Sequence, residues 1–146
     1  MTIAFNLPFL SLGGTWEPDQ AERDAAWELL VELSTRTSMV ELADKEGSTR
    51  EALSSLYKLF DTTRGILRAK GPTVARNHGD GNLSFAVIAV RVLNDVLRPV
   101  LSEWHPRLDQ YEQLRPPTIG VSDWEHAWEF DDDLRQIGRA SCRERV

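Results

Sequence analysis

The sequence predicts a mostly α-helical fold: an antiparallel helical bundle of three long helices plus a truncated fourth, with an extended N-terminal arm or short strand. Three observations predict it. Apolar residues recur every three and four positions over long stretches, two Ser-x-x-Glu pairs stand where helices would open, and Gly71-Pro72 and Arg115-Pro116-Pro117 stand where helices would close.

The first segment alternates Ile3, Phe5, Leu7 and Phe9, which is strand spacing, and stops at Gly13-Gly14. A lone strand leaves its backbone groups unpaired, so it either pairs with residues 38–42 or packs as an extended arm. Asp19, or the preceding Glu17-Pro18, opens a helix that runs to about Arg36 and turns Ala25, Ala26, Leu29, Leu30 and Leu33 inward. Ser48 and Glu51 form a capping pair for a second helix, along which Leu53, Leu56, Tyr57, Phe60 and Leu67 keep helical spacing up to Gly71-Pro72. Residues 77–82 are turn chemistry in a loop.

A third helix covers residues 83–104. It is apolar on all sides through Val90 and amphipathic after Arg91, which places its first half centrally. Pro99 removes a ladder donor and predicts a kink near Asp95 or a restart with Pro99 as first residue; Val96, Val100 and Trp104 keep their spacing across it, which favours a kinked continuation. His105-Pro106 is expected to close this helix, with a shorter one over residues 107–114. Ser122 and Glu125 then read as a second capping pair for a last helix through Trp124, Trp128 and Leu134.

The chain of 146 residues is 41% hydrophobic and 27% charged, with nine Gly and seven Pro, which is one ordinary domain rather than a collagen-like or low-complexity chain. The longest apolar run, residues 85–90, ends at Arg91 and is far too short for a membrane span. No basic residue precedes Arg23, so the apolar start lacks the positive region of a secretion signal and a cytoplasmic location is expected.

Residues 137–146 (IGRASCRERV) resemble the conceptual translation of a common short-read sequencing adapter. The expectation is therefore a single helical domain over residues 1–136, truncated at its C-terminus, followed by a non-native tail over 137–146. That tail holds three Arg and one Glu, so without it the net charge moves from −6 to −8. It also holds the lone Cys142, leaving no thiolate for a metal, a disulfide or catalysis in the rest. An acidic domain lacks the positive field that gathers nucleic acid, so nucleic acid is not the expected partner.

No cofactor and no metal site is expected. His78, His105 and His126 lack ligand spacing, and Asp123 with His126 is half of a carboxylate–histidine pair with no counterpart. Gly79-Asp80-Gly81 lacks the Lys and Ser/Thr of a phosphate loop, and the run Asp131-Asp132-Asp133 with Glu125 and Glu129 reads as a solvated acidic face.

Arg91, Asn94, Asp95, Arg98, Ser102 and His105 fall on one polar stripe of the third helix. Asp95 stands four residues from Arg91 and three from Arg98, so the stripe is expected to satisfy its own charges, each exposed pair contributing about 0.2–0.5 kcal/mol. The six residues between Arg98 and His105 also resemble the Arg-x4-6-His signature of HEPN ribonucleases of bacterial conflict systems. That resemblance implies an Arg98 that holds the scissile phosphate and a His105 that acts as general acid or base. Pro99 departs from the polar residue that family usually has after its Arg. Three His and eleven Arg before the tail make such a spacing common by chance.

WEPDQAERDAAWELLVEL, REALSSLYKLFDTTRGIL and LNDVLRPVLSEWHP, in that order, resemble helical proteins of high-GC actinobacteria, a likeness that brings no activity with it. Of the five Trp, Trp124 and Trp128 share a face of the last helix and are expected to form a strip open to a partner. The reading is a non-enzymatic helical interaction or regulatory module that meets a protein partner or a second copy, with the HEPN-like ribonuclease as the alternative. An apolar, tryptophan-containing surface patch would favour the first, and a catalytic pair converging in a pocket the second.

Overall fold

The computed structural model describes residues 14–36, 47–76, 79, 82–130 and 133. The predicted strand over residues 3–9, its candidate partner at 38–42, most of the 77–82 loop, Asp131-Asp132, Leu134 and the tail 137–146 lie outside them. The described residues are mostly helical: α1 (Gln20–Ser34), α2 (Thr49–Lys70), a 3-10 turn (Gly71–Ala75), α3 (Phe85–Arg91), a π turn (Val92–Leu97), α4 (Arg98–Gln113) and α5 (Val121–His126). Among these residues the one β interaction is an isolated parallel bridge between Thr15 and Asn82, where the Leu83 N–H donates to the Thr15 carbonyl at 2.8 Å.

Local chemistry explains the helix ends. Asp19 caps α1 in a full capping box: its carboxylate accepts from the Glu22 N–H at 2.9 Å and Glu22 accepts from the Asp19 N–H at 3.1 Å. Ser48 caps α2, accepting from the Glu51 N–H at 3.3 Å. Gly71 ends it at φ 68°, a conformation that a Cβ disfavours. Ser84 caps α3 through the Val87 N–H.

The pairing of helices is antiparallel. Lys70, at the end of α2, meets Glu28 of α1 at 2.6 Å, whereas Arg36, beyond the end of α1, reaches back to the Ser55 carbonyl at 3.0 Å and the Thr62 hydroxyl at 2.8 Å. Arg50, at the start of α2, meets Asp109 and Glu112 near the end of α4, and Arg98 at the start of α4 lies over the Phe60 ring at 5.4 Å. Leu53, Leu59, Phe60, Leu93, Leu101, Trp104, Leu108 and Trp128 form one end of the core; Trp16, Ala25, Ile66, Val74, Phe85 and Ala89 form the other. Leu29 of α1 packs against both.

Three expectations about elements are corrected. Residues 85–113 run as one helical path, so His105-Pro106 does not close the third helix and residues 107–114 are not a separate one. Leu101, Trp104 and Leu108, all buried, with half-buried Tyr111, carry one apolar stripe straight past Pro106, and that burial outweighs the missing N–H. The irregularity near Asp95 is the π turn, in which the Arg98 N–H bonds the Leu93 carbonyl five residues back and leads into Pro99. The first half of that path is not buried all round either: Val87 and Val90 are exposed.

The last helix is also different. α5 is six residues long and starts after Gly120 with no side-chain cap, so Ser122 and Glu125 are not a capping pair. Ser122 lies inside the helix, where its hydroxyl stands 3.4 Å from His126 Nδ1. Glu125 points instead into the bundle.

Candidate functional site

Glu125, only 2% exposed, is no part of a solvated acidic face. Its carboxylate accepts from the Ser48 hydroxyl at 2.9 and 3.1 Å and from the Thr49 N–H at 3.1 Å, at the N-terminus of α2. Glu22, fully buried, does the same for α3, accepting from the Phe85 N–H at 2.7 Å while it completes the capping box of α1. Helix N-termini present free N–H groups and partial positive charge, so each glutamate ties two helices together. These two carboxylates hold the frame and are occupied in doing so.

The stripe expected to serve itself is divided by the π turn, which resets the phase of every residue after it. Arg98 donates to Asn94 Oδ1 at 2.9 and 3.1 Å rather than to Asp95, and Arg91, Asn94, Asp95 and Ser102 are exposed. His105 belongs to a different group. Arg50 Nη1 lies 3.3 Å from its Nε2, and its Nδ1 lies 3.5 Å from Asp109. Arg50 also donates to Asp109 at 2.6 Å and to Glu112 at 2.6 and 2.9 Å; the Glu112 bond, above the opposing effect of burial, raises its pKa. Arg98 and His105 thus have separate partners, and neither lines the grooves described below. Among the described residues no group of three or more His, Cys, Asp or Glu could hold a metal ion.

Trp124 and Trp128 do not form an open strip. Trp128 is 6% exposed and sits edge-on to Trp104 at 6.1 Å and to Phe130 at 5.7 Å. Trp124 is half-buried and stacks on Tyr111 at 4.7 Å; its indole N–H donates to the Tyr111 carbonyl and the Tyr111 hydroxyl donates to the Trp124 carbonyl, both at 2.9 Å. Burial raises the Tyr111 pKa, which keeps that hydroxyl a donor. Tyr111, on the part of α4 beyond Pro106, stacks on both Trp124 and Trp128, and Trp104 and Phe130 complete the cover of Trp128.

An open apolar surface lies on α1. Trp27 is 65% exposed, Leu30 47% and Val31 42%, at helical spacing on one face. Leu30 was expected inside; α1 meets the bundle through Ala25, Ala26, Leu29 and Leu33, and Leu30 falls beyond that contact. Two shallow grooves flank the face and share Trp27. One, of about 710 Å³, is lined by Trp16, Glu17, Pro18, Arg23, Ala26, Trp27 and Leu30; the other, of about 320 Å³, runs along α2 past Thr62 and Ile66. The rim carries exposed Glu17, Asp24, Glu28 and Glu32 beside Arg23; Glu28 is paired with Lys70 at 2.6 Å and Glu32 with Arg36 at 3.1 Å, which leaves Glu17 and Asp24 outside these two ion pairs. A signal for this face exists in the sequence, where seven of the nine residues 25–33 are apolar, more than one buried stripe of a surface helix can hold.

Comparison with known protein families, with curated proteins and with solved structures finds no match to this chain. Among the described residues no helix is long and apolar enough to cross a membrane.

Proposed function

We propose that this chain is a helical protein-interaction module and that the outer face of α1 is its partner surface. The observation that carries the proposal is Trp27, a large aromatic left two-thirds exposed beside Leu30 and Val31 on a regular helix. Tryptophan in an apolar patch with a polar rim is the composition of a binding hot spot, and it is energetically wasteful on a surface that meets only water. Exposed Glu17 and Asp24 on the rim and the net charge of −6 favour a partner segment that is apolar on one side and basic on the other.

A synthetic amphipathic Leu/Lys helix peptide, with a Leu/Glu peptide of equal length as control, tests this by fluorescence titration. The expected result is salt-sensitive binding of the Leu/Lys peptide that Trp27→Glu abolishes while the circular dichroism of the chain is unchanged. Equal binding by chain and variant overturns the assignment of α1. Dimerisation of the chain that Trp27→Glu abolishes, seen by analytical ultracentrifugation, replaces the basic partner with a second copy.

A further inference from the structure

Apart from Tyr57, Val87 and Val90, the large exposed hydrophobics among the described residues fall into two groups. One is Trp27, Leu30 and Val31 on α1; the other is Leu114, Ile119 and Val121, within eight residues of chain at the corner where α4 turns into α5. Leu114 is 74% exposed, more than Trp27. The corner is fastened at several points. At its base the Tyr111 and Trp124 rings stack and the two residues exchange hydrogen bonds. Within it the Ile119 N–H donates to the Pro116 carbonyl at 3.1 Å, and Arg115 Nη1 donates to the Ile119 carbonyl. Pro116 and Pro117 fix two more φ angles. A loop held in this way loses little conformational entropy when it is covered, which lets a small apolar patch bind.

The charge of the corner points to what covers it. Residues 116–122, PPTIGVS, carry no charge and stand between half-buried Arg115 and exposed Asp123. On a chain of net charge −6, copies repel one another, and two α1 faces in contact would bring Glu17 and Asp24 of one copy towards those of the other. Two corners meet without that repulsion. A two-fold contact is self-complementary, so each Arg115 can face the Asp123 of the other copy.

We infer that the α4–α5 corner is the contact through which two copies of this chain form a two-fold dimer. The corner lies by the start of α2, where Thr49 bonds Glu125. The larger α1 groove lies by Trp16 at the start of α1, alongside the end of α2, where Lys70 meets Glu28. The 22 residues of α2, about 33 Å long, separate the two. The dimer therefore leaves both α1 faces open and presents them as a pair. That pairing rests on the reading of α1 as the interaction face; the dimer itself does not.

Analytical ultracentrifugation of the full chain from about 10 μM to about 1 mM, the range in which a small interface associates, tests this. The mass is expected to rise towards that of two chains. Ile119→Asp with Val121→Asp should weaken dimerisation more than about tenfold by burying unpaired carboxylates, at unchanged circular dichroism, and Leu114→Lys should act likewise. Trp27→Glu should leave dimerisation unchanged. On a surface dense in the Leu/Lys peptide the chain should dissociate about tenfold more slowly than the double Asp variant. A chain that stays monomeric throughout, or a dimer that survives both corner variants, overturns the inference. A dimer lost in Trp27→Glu and kept in the corner variants puts the second copy on α1 instead. A corner dimer that binds no peptide leaves the interface standing and overturns the reading of α1, whereas peptide binding with equal dissociation rates overturns the pairing of the two faces.

Discussion

Glu125 shows how far a residue's role can sit from its sequence context. Its neighbours Asp123 and Glu129 are exposed, yet its own carboxylate is buried against the first N–H of α2, 76 residues away in the chain. A buried N–H left without an acceptor costs about 1–3 kcal/mol, and charge at a helix N-terminus adds up to about 2 kcal/mol where it is partly buried. Glu125→Ala is expected to lower unfolding free energy by about 2–3 kcal/mol. Glu125→Gln, which keeps an acceptor and loses the charge, should cost about 1 kcal/mol. Urea midpoints at constant slope measure both. A loss below about 0.5 kcal/mol for the Ala variant would mean that water replaces the carboxylate at no cost. His105 is the companion case: its ring is used by Arg50 and Asp109, so its place on a polar stripe says little about its chemistry.

At the scale of elements, a local signal holds where the chain packing agrees with it, as at Asp19, Ser48 and Gly71, and fails where packing does not, as at Ser122 and Pro106. Asp19 with Glu22 and Ser48 with Glu51 act within three residues, and both predicted starts coincide with the observed ones. Pro106 is a local stop that α4 overrides, because Trp104, Leu108 and Tyr111 on either side of it all pack into the core or against α5. The Ser102 carbonyl is thereby left without its helical donor. Pro106→Ala restores that N–H and relieves the ring's clash, offset by the greater freedom it grants the unfolded chain. A net stabilisation of about 1–2 kcal/mol is expected, read as a higher denaturation midpoint. Destabilisation would show that the proline sets a bend on which the α4–α5 packing depends.

Over the whole molecule, five Trp that look alike in the sequence divide by environment. Trp16, Trp104 and Trp128 are buried, Trp124 is half-buried against Tyr111, and Trp27 faces outward. Trp128→Ala should cost about 3–5 kcal/mol by opening a cavity among Trp104, Tyr111 and Phe130. Trp27→Ala should stay within about 0.5 kcal/mol. Thermal and chemical denaturation of the two variants decide it, and equal losses would mean that Trp27 is structural and its face already covered.

Helical class, the starts of α1 and α2 and the stop at Gly71 are determined by the sequence itself, because caps, turns and apolar periodicity act over one helical turn. The candidate face is half legible there: residues 25–33 carry more apolar side chains than one stripe needs, but not which of Leu29 and Leu30 lies inside. Tertiary structure alone decided that, together with the passage of α4 through Pro106, the cover over Trp124 and Trp128, and the buried posts of Glu22 and Glu125. Each depends on the free energy of contacts between residues far apart in the chain, which exceeds the local preference it overrides.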